Sequence, residues 1–538
     1  MLVAAAAGAW GVFAAIHYHR LGLTLAHYDA RAHLVVARRI FDSLMPGWQQ
    51  VGAVWLPLPH LLNALPVQID YFYRTGFSAI AISIASMAIA AWAIAALIQR
   101  ATGSTAGGAT AAALLMLNPD VLYLQSTPMT EPLLFGTTFL AIALIGEWSA
   151  NCEPRTANRE LPTTSGPPSR AASPARFGET AARRSSRAAG WACIAGVLTR
   201  YEAFPIVATA IVLAFAVLLK RGWTFASAAR AVRGLALWPM WAIAAFLVNG
   251  KITVGSWFVS SGFFVAENPA MGHPWLAWTE VWDGLVRLAG PVLPWLAVVS
   301  AAAIVVSFFI PPDHLRQGYG GQEGGSHETD GGQEGGSYGT EKGSLILTLA
   351  LIACAALPLY AYIKGHPVRI RYDVPLVAAA AALTGAAVAL LPRRAQWIAG
   401  AAIVALTAWQ RPPFDSRAPV VVESQREAPN KLGRRAVTAY LDANWDGQPI
   451  MMSMGSLGHY MHDLSASGFR VRDFLHEGTG ELWKYAVRHP RPFVEWIAIE
   501  ERAEGGDALH WQATHDPNFL KGYTRVAEGG GVALYRRF

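Results

Sequence analysis

Charge is what this chain of 538 residues is short of: Asp, Glu, Lys and Arg make up only 15% of it, against 53% hydrophobic residues. A soluble domain is nearer a quarter charged, so the shortfall excludes an ordinary water-soluble enzyme. Cysteine is scarcer still, with three in the whole chain. Cys152 lies in a polar loop and Cys193 and Cys354 lie in apolar segments, which excludes a disulfide framework and any cysteine metal spacing. The region after residue 411 has none and must fold without cross-links. Histidine supplies no metal pattern either. His17 and His19 are two apart on a helix and do not share a face, and no second-ligand pattern accompanies His27, His33 or His60. No cofactor is expected, and a divalent metal is not indicated.

What is present is apolar length. Runs of Ala, Leu, Val and Ile recur, each near the ~20 residues that span a bilayer. About eleven transmembrane helices are expected, at 2–19, 76–98, 105–118, 132–148, 189–200, 203–219, 234–250, 290–310, 344–363, 374–391 and 395–410. The fifth is short enough for a half-span or a re-entrant piece. The first has a signal peptide's length but lacks a basic start and a small-residue cleavage site, and reads as an anchor. The 20 Trp, 16 Tyr and 22 Phe suit rings at membrane interfaces. The net charge of +7 does not point to nucleic acid, because its basic residues sit in short loops between apolar segments. Arg100, the stretch 155–187, Lys220, Arg221, Arg230, Arg233, Arg393 and Arg394 fall on one side, which the positive-inside rule makes the cytoplasm. Residues 20–75, 119–131, 251–289, 364–373 and 411–538 then share the outer face.

Two cytoplasmic loops, 150–188 and 311–343, are low in complexity and are expected to be disordered, since such composition buries too little apolar area to offset chain entropy. The second contains Gly-Gly-Gln-Glu-Gly-Gly-Ser twice and reads as an insertion. The tail, 411–538, is expected to be a small extracytoplasmic α/β domain beside a transmembrane domain, 1–410. Its helix is placed at 432–443 and its strands at 449–453, 494–499, 523–527 and 532–536, the last two flanking a Gly529-Gly530-Gly531 hairpin turn.

The chemistry-bearing residues concentrate on the outer side. Asp29 follows the first apolar stretch, and an acid at the mouth of a membrane bundle is a functional candidate by default. Residues 30–44 read as an amphipathic helix on the membrane surface, with Leu34, Ala37, Phe41 and Leu44 as its apolar stripe and Arg31, Arg38, Arg39 and Asp42 as its polar face. A second short helix is expected at 55–65, and the two would frame a lipid-entry groove. Glu131 tops one helix, and Arg200 and Glu202 stand at another outer turn. Lys364, His366, Arg369 and Arg371 pack four potential cations into one short loop, against the positive-inside trend. Cations concentrated there suggest an anion, and arginine's fork suits phosphate. The bland alternative is that they pair with Glu131, Glu202 or Asp373.

Together these pieces resemble the GT-C superfamily of integral membrane glycosyltransferases. The resemblance is nearest to bacterial members of glycosyltransferase family 39, the dolichyl-phosphate-mannose–protein mannosyltransferases, and to the aminoarabinose transferases. It rests on the Asp29 loop, Ala37-Arg38-Arg39-Ile40-Phe41-Asp42-Ser43, Trp55-Leu56-Pro57-Leu58, Pro128-Met129-Thr130-Glu131, Thr199-Arg200-Tyr201-Glu202 and Arg371-Tyr372-Asp373-Val374-Pro375. These motifs cover about a fifth of the chain, and their order and common sidedness carry more than any one of them. One departure stands out: many members carry paired acids in the first loop, whereas here His27-Tyr28 precede a single Asp29.

The resemblance implies a polytopic helical GT-C fold in a bacterial-type inner membrane. It also implies sugar transfer from a polyprenyl-phosphate donor, with inversion, to a lipid, glycan or protein acceptor on the outer face. Asp29 would orient or deprotonate the acceptor. Glu131, Arg200, Glu202, Lys364, His366, Arg369, Arg371 and Tyr372 would bind substrate, the cations stabilising the departing phosphate. The rival reading is a transporter or lipid flippase, which usually shows repeated halves and helices broken near mid-membrane. No such repeat is visible. A third, a scaffold displaying the tail, leaves the outer acids and cations unexplained.

Overall fold

A computed structural model describes residues 1–52, 54–152, 174–257, 268–310 and 342–538. Each of the eleven expected spans falls on a helix. Seven helices among the described residues are long and apolar enough to cross a bilayer: Leu2–Arg20, Phe77–Thr102, Glu131–Asn151, Ala203–Lys220, Phe225–Thr253, Val292–Phe309 and Gly343–Ile363. The chain is an integral membrane protein. Thr105–Leu117 and Val374–Val388, at 13 and 15 residues, fall short of the ~20 that span. They are buried against each other instead. A Cβ added at Gly385 would lie 2.5 Å from the Ala111 Cβ and 2.6 Å from the Gly107 carbonyl oxygen, so small residues let these two helices approach backbone to backbone. This contact anchors the helix that leaves directly from Arg371-Tyr372-Asp373.

Two expectations about the loops need correction. The helix ending at Val197 begins at Pro174, so residues 174–188 are helical and not part of a disordered loop. The Ala and Arg that fill this stretch are strong helix formers, which outweighs its low complexity. Residues 153–173, and 311–341 of the second loop, lie outside the described residues.

The first-loop helix is the second correction. It runs Tyr28–Arg38, but it does not lie on the membrane surface with one polar face in water. Both faces are buried: Leu34, Val35 and Ala37 are 0–1% exposed, and Arg31 is 1% exposed. The reason is the C-terminal domain, which covers it. Leu34, Val35 and Ala37 share a core with Ile450, Met452, Phe474, Trp496 and Leu534 of that domain. The cations find partners too, Arg31 across the same interface with Asp463 at 2.5 Å, and Arg38 within the first loop with Asp42 at 2.9 Å and Asp70 at 2.7 Å. The second short helix is Leu58–Asn63.

The C-terminal domain is built on one five-stranded sheet: β1 Ile450–Met452, β2 Phe474–Leu475, β3 Trp496–Glu500, β4 Tyr523–Gly529 and β5 Val532–Arg537. The strand order is β2-β1-β3-β5-β4. β1 runs parallel to β2 and β3, with Ile450 opposite Trp496, and β5 runs antiparallel to β3 and β4. Strand side chains alternate between faces, and both faces are covered. Ile450, Met452, Trp496 and Ala498 point to the first-loop helix and Met454–Leu464, while Met451, Ile497 and Ile499 meet Trp483, Leu509 and Phe519. The expected strands are present; β2 and the helix Met454–Leu464 were not anticipated. The segment leading into the domain belongs physically to the bundle, since Ala418, Val420 and Val421 pack in the helical core.

Candidate functional site

Asp29 sits in the first turn of Tyr28–Arg38, where the helix dipole favours an acid. Its backbone N–H donates to Nδ1 of His27, the capping residue, at 3.1 Å. Asp29 is 6% exposed and forms an ion pair with Arg371, also 6% exposed. The acid from the first loop and the cation from the 364–373 loop are thus brought together by the fold. The partners expected in the bland alternative, Glu131, Glu202 and Asp373, are not those of Arg371.

Arg371 is incompletely paired. Its Nε–H is buried with no hydrogen-bond partner among the described residues, and so is the Nε2 of His27. Because Nδ1 of His27 accepts from Asp29, its Nε2 carries the proton of the neutral ring. Burial, then the charges of Arg371 and Arg369, lowers the His27 pKa and keeps that ring neutral. Two buried donors therefore lie unmatched beside one carboxylate. Arg369 reaches Glu504 of the C-terminal domain at 2.5 Å and stands over the Tyr28 ring at 5.8 Å. Tyr372 lies 5.2 Å beneath the Arg371 guanidinium. His366 packs on Tyr372 at 5.4 Å and holds Nδ1 3.0 Å from the Pro367 carbonyl. Lys364 is exposed, 5.9 Å over the Tyr360 ring, at the rim.

A second cluster lies close by. Arg200 donates to Glu131 at 3.0 Å, to the Thr130 hydroxyl at 3.0 Å and to Glu202 at 2.6 Å. Glu131 and Glu202 are 0% and 1% exposed. Here the unmatched atom is an acceptor, Oε2 of Glu131. Arg200 follows the helix ending at Val197, Glu202 precedes Ala203–Lys220, and Glu131 opens Glu131–Asn151. One arginine thus ties three helix ends together.

The structure adds residues that the sequence reading passed over. Glu423, on the short helix Pro419–Ser424, is 3% exposed, and neither carboxylate oxygen has a hydrogen-bond partner among the described residues. Burial pushes its pKa up, against the opposing pull of Arg371 and Arg369. Its helix is held over the site by Asp120, whose Oδ1 accepts from the Val420 N–H at 2.7 Å. Burial raises the Asp120 pKa to about 7. Nothing in the chain's local pattern marked Glu423; a lone acid after Val420-Val421-Val422 reads as a solvated loop residue. The His27-Tyr28 pair was visible, as a departure from a family pattern, but its capping role needs the helix start. Among the described residues, no group of three His, Cys, Asp or Glu is placed to hold a metal ion.

The helical membrane bundle, the first-loop helix and the C-terminal sheet domain together make a fold shared with solved structures of known membrane proteins. The chain is similar to two crystal structures of ArnT from Cupriavidus metallidurans. One is bound to undecaprenyl phosphate, with a TM-score of 0.54, 12% identity, and 98% of this chain and 97% of that one covered. The other is in the apo state, with a TM-score of 0.50, 12% identity and 98% of each chain covered. No family model and no curated protein sequence matches the chain.

Proposed function

We propose that this protein is a membrane glycosyltransferase that moves a sugar from a polyprenyl-phosphate donor to an acceptor on the extracytoplasmic face. The observation that carries the reading is the Asp29–Arg371 pair with its two unmatched donors. A phosphate would satisfy both donors, and charge-assisted hydrogen bonds to an anion in a dry site are strong. The ArnT structure bound to undecaprenyl phosphate supports a lipid phosphate as the ligand class for this fold.

In this reading Arg371 and the His27 Nε2–H stabilise the departing phosphate, with Arg369 beside them. Asp29 orients or deprotonates the acceptor nucleophile, and attack in a single displacement inverts the anomeric centre. The acceptor's oxygen forms the new glycosidic bond as the bond to the phosphate oxygen breaks. The C-terminal domain and residues 20–75 face outside the cytoplasm. Lys364 at the rim, with His366 and Tyr372, completes the cationic approach.

The test is incubation of the purified protein in lipid with labelled undecaprenyl-phosphate sugars, read by product mass. Release of undecaprenyl phosphate with a glycosylated product supports transfer. Movement of the lipid across the bilayer with no such release would replace this reading with a flippase.

A further inference from the structure

The first-loop helix carries a second chemistry-bearing side chain on the Asp29 face. His33 lies one turn on, at the i,i+4 spacing that stacks two side chains about 6 Å apart along a helix. It is 8% exposed, and its Nδ1 is 3.0 Å from Nε2 of His60, itself 1% exposed. The Nδ1 of His60 is in turn 3.1 Å from the Leu56 carbonyl. A carbonyl can only accept, so His60 carries its proton on Nδ1. Burial lowers both ring pKa values and keeps the rings neutral, so Nε2 of His60 is an acceptor and Nδ1 of His33 must be the donor. Only Nε2 of His33 is left, a bare lone pair with no partner among the described residues.

The surroundings hold that ring in place beside the site. Trp55 packs against His33 at 4.0 Å with its ring tilted 38°, and lies nearly parallel to His60 at 5.9 Å, holding both rings. The turn that carries Trp55 and His60 is bonded to the Arg200 turn, through Leu58 N–H to the Leu198 carbonyl at 2.9 Å and the Tyr201 hydroxyl to the Val54 carbonyl at 3.0 Å. Arg371 and Arg200 both act electrostatically on the His33 ring, so it lies near both charged clusters.

We propose that His33, held in one tautomer by His60 and the Leu56 carbonyl and clamped by Trp55, is a sugar-binding residue whose Nε2 accepts a hydrogen bond from a sugar hydroxyl of the donor. The inference rests on the donor class proposed above. A bare ring nitrogen repels a phosphate oxygen, which can only accept, and takes a hydroxyl, which can donate. The phosphate end of the donor therefore belongs to Arg371 and the sugar end to His33. His60 acts only through His33 and is a positioning residue.

The experiment uses the full-length protein in lipid nanodiscs. Affinity is measured for undecaprenyl phosphate and for undecaprenyl-phosphate mannose, glucose, galactose and arabinose. The wild type should bind at least one sugar lipid more tightly than undecaprenyl phosphate. His33→Phe, which keeps the ring and removes the lone pair, should cost that sugar lipid about five- to tenfold, the size of one buried hydrogen bond, and leave undecaprenyl phosphate unchanged. His60→Ala should lose part of the preference, and His60→Gln, which can both donate to Leu56 and accept from His33, should restore it. Nitrogen-15 NMR of labelled histidine in the wild type, which needs no variant, should show His33 protonated on Nδ1.

A wild type with no sugar preference, a His33→Phe protein that keeps the preference, or a proton on Nε2 of His33 each overturns the sugar subsite while leaving the phosphate reading intact. A wild type that binds none of these lipids overturns both.

Discussion

The two buried charge clusters at the bundle mouth use the same residue types and differ in what they leave over. Around Arg200 there is one arginine for two carboxylates, and the unmatched atom is an oxygen of Glu131. Around Arg371 there are two arginines in one loop, one carboxylate in direct contact, unmatched N–H groups on Arg371 and His27, and nearby the unpartnered carboxyl of Glu423, whose burial favours its neutral form. Removing charges from water is costly, and the attraction within a pair repays this only when the remaining donors and acceptors are also satisfied. The Arg200 cluster closes its guanidinium almost completely and joins three helix ends, an arrangement that suits a structural role. The Arg371 cluster leaves donors open, which is what supports our proposal that an anion binds there. Charge type alone did not separate them; the residual hydrogen-bonding capacity does.

Four perturbations break or sharpen this contrast. The largest effect is expected for Arg200→Ala, which strands Glu131 and Glu202 without a counter-ion. Breaking a buried pair this way costs ~3–5 kcal/mol, so thermal unfolding in detergent should drop sharply. A variant that folds normally but loses donor affinity would move Arg200 into the binding site.

Arg371→Ala should weaken binding of undecaprenyl phosphate by ~2–5 kcal/mol, the cost of truncating a buried charged partner. Arg371→Lys should recover only part of it, because lysine lacks the bidentate fork. Titration of the lipid against each variant checks this, and unchanged affinity would make the loop structural.

Asp29→Asn keeps the shape and removes the charge. Turnover should fall at least ~100-fold, the usual scale of a positioned base, while undecaprenyl phosphate should still bind. Near-normal turnover by the folded variant would remove Asp29 from the chemistry.

Asp120→Asn gives the smallest effect and probes how the C-terminal segment is held over the Arg371 cluster. The Asp120 pKa is raised from its ordinary value near 4 to about 7 by burial. The folded state therefore binds the proton more tightly than the unfolded state. Its contribution to stability is full below about pH 4 and is lost as pH rises through about 7. Asn keeps an acceptor for the Val420 N–H and cannot ionise, so the unfolding temperature of the variant should be flatter than that of the wild type between pH 4 and 7. Parallel profiles would show that Asp120 does not titrate in that window.

The helical spans were legible because hydropathy is a local property, and a run such as Phe77–Thr102 must leave water wherever it sits. Strands β3, β4 and β5 were legible for a similar reason, since their composition and the Gly529-Gly530-Gly531 turn are local signals. Asp29, Arg369 and Arg371 stood out because charge at an apolar boundary is rare. The burial of Tyr28–Arg38 was not legible. Its pattern of apolar and charged residues suits a helix at a membrane surface equally well, and the covering sheet comes from residues more than 400 positions away. Glu423 was hidden for the same reason: its neighbours Arg369 and Arg371 are about fifty residues off, and nothing local distinguishes it from a solvated acid.

By itself, then, the sequence determined the class of molecule, where its apolar helices lie and the side chains capable of chemistry, because hydrophobicity and charge act on each segment where it stands. Which acid meets which base was decided only in three dimensions. Arg371 pairs with Asp29 and Arg200 with Glu131 and Glu202, although the motifs alone allowed the cations of both loops to pair with the same acids. The choice is made by the close Gly107–Gly385 helix contact that sets the 364–373 loop, and by the C-terminal domain that presses the first-loop helix into the mouth. Ion pairs are short-ranged in their geometry, and only packing brings residues 342 positions apart within reach of one another.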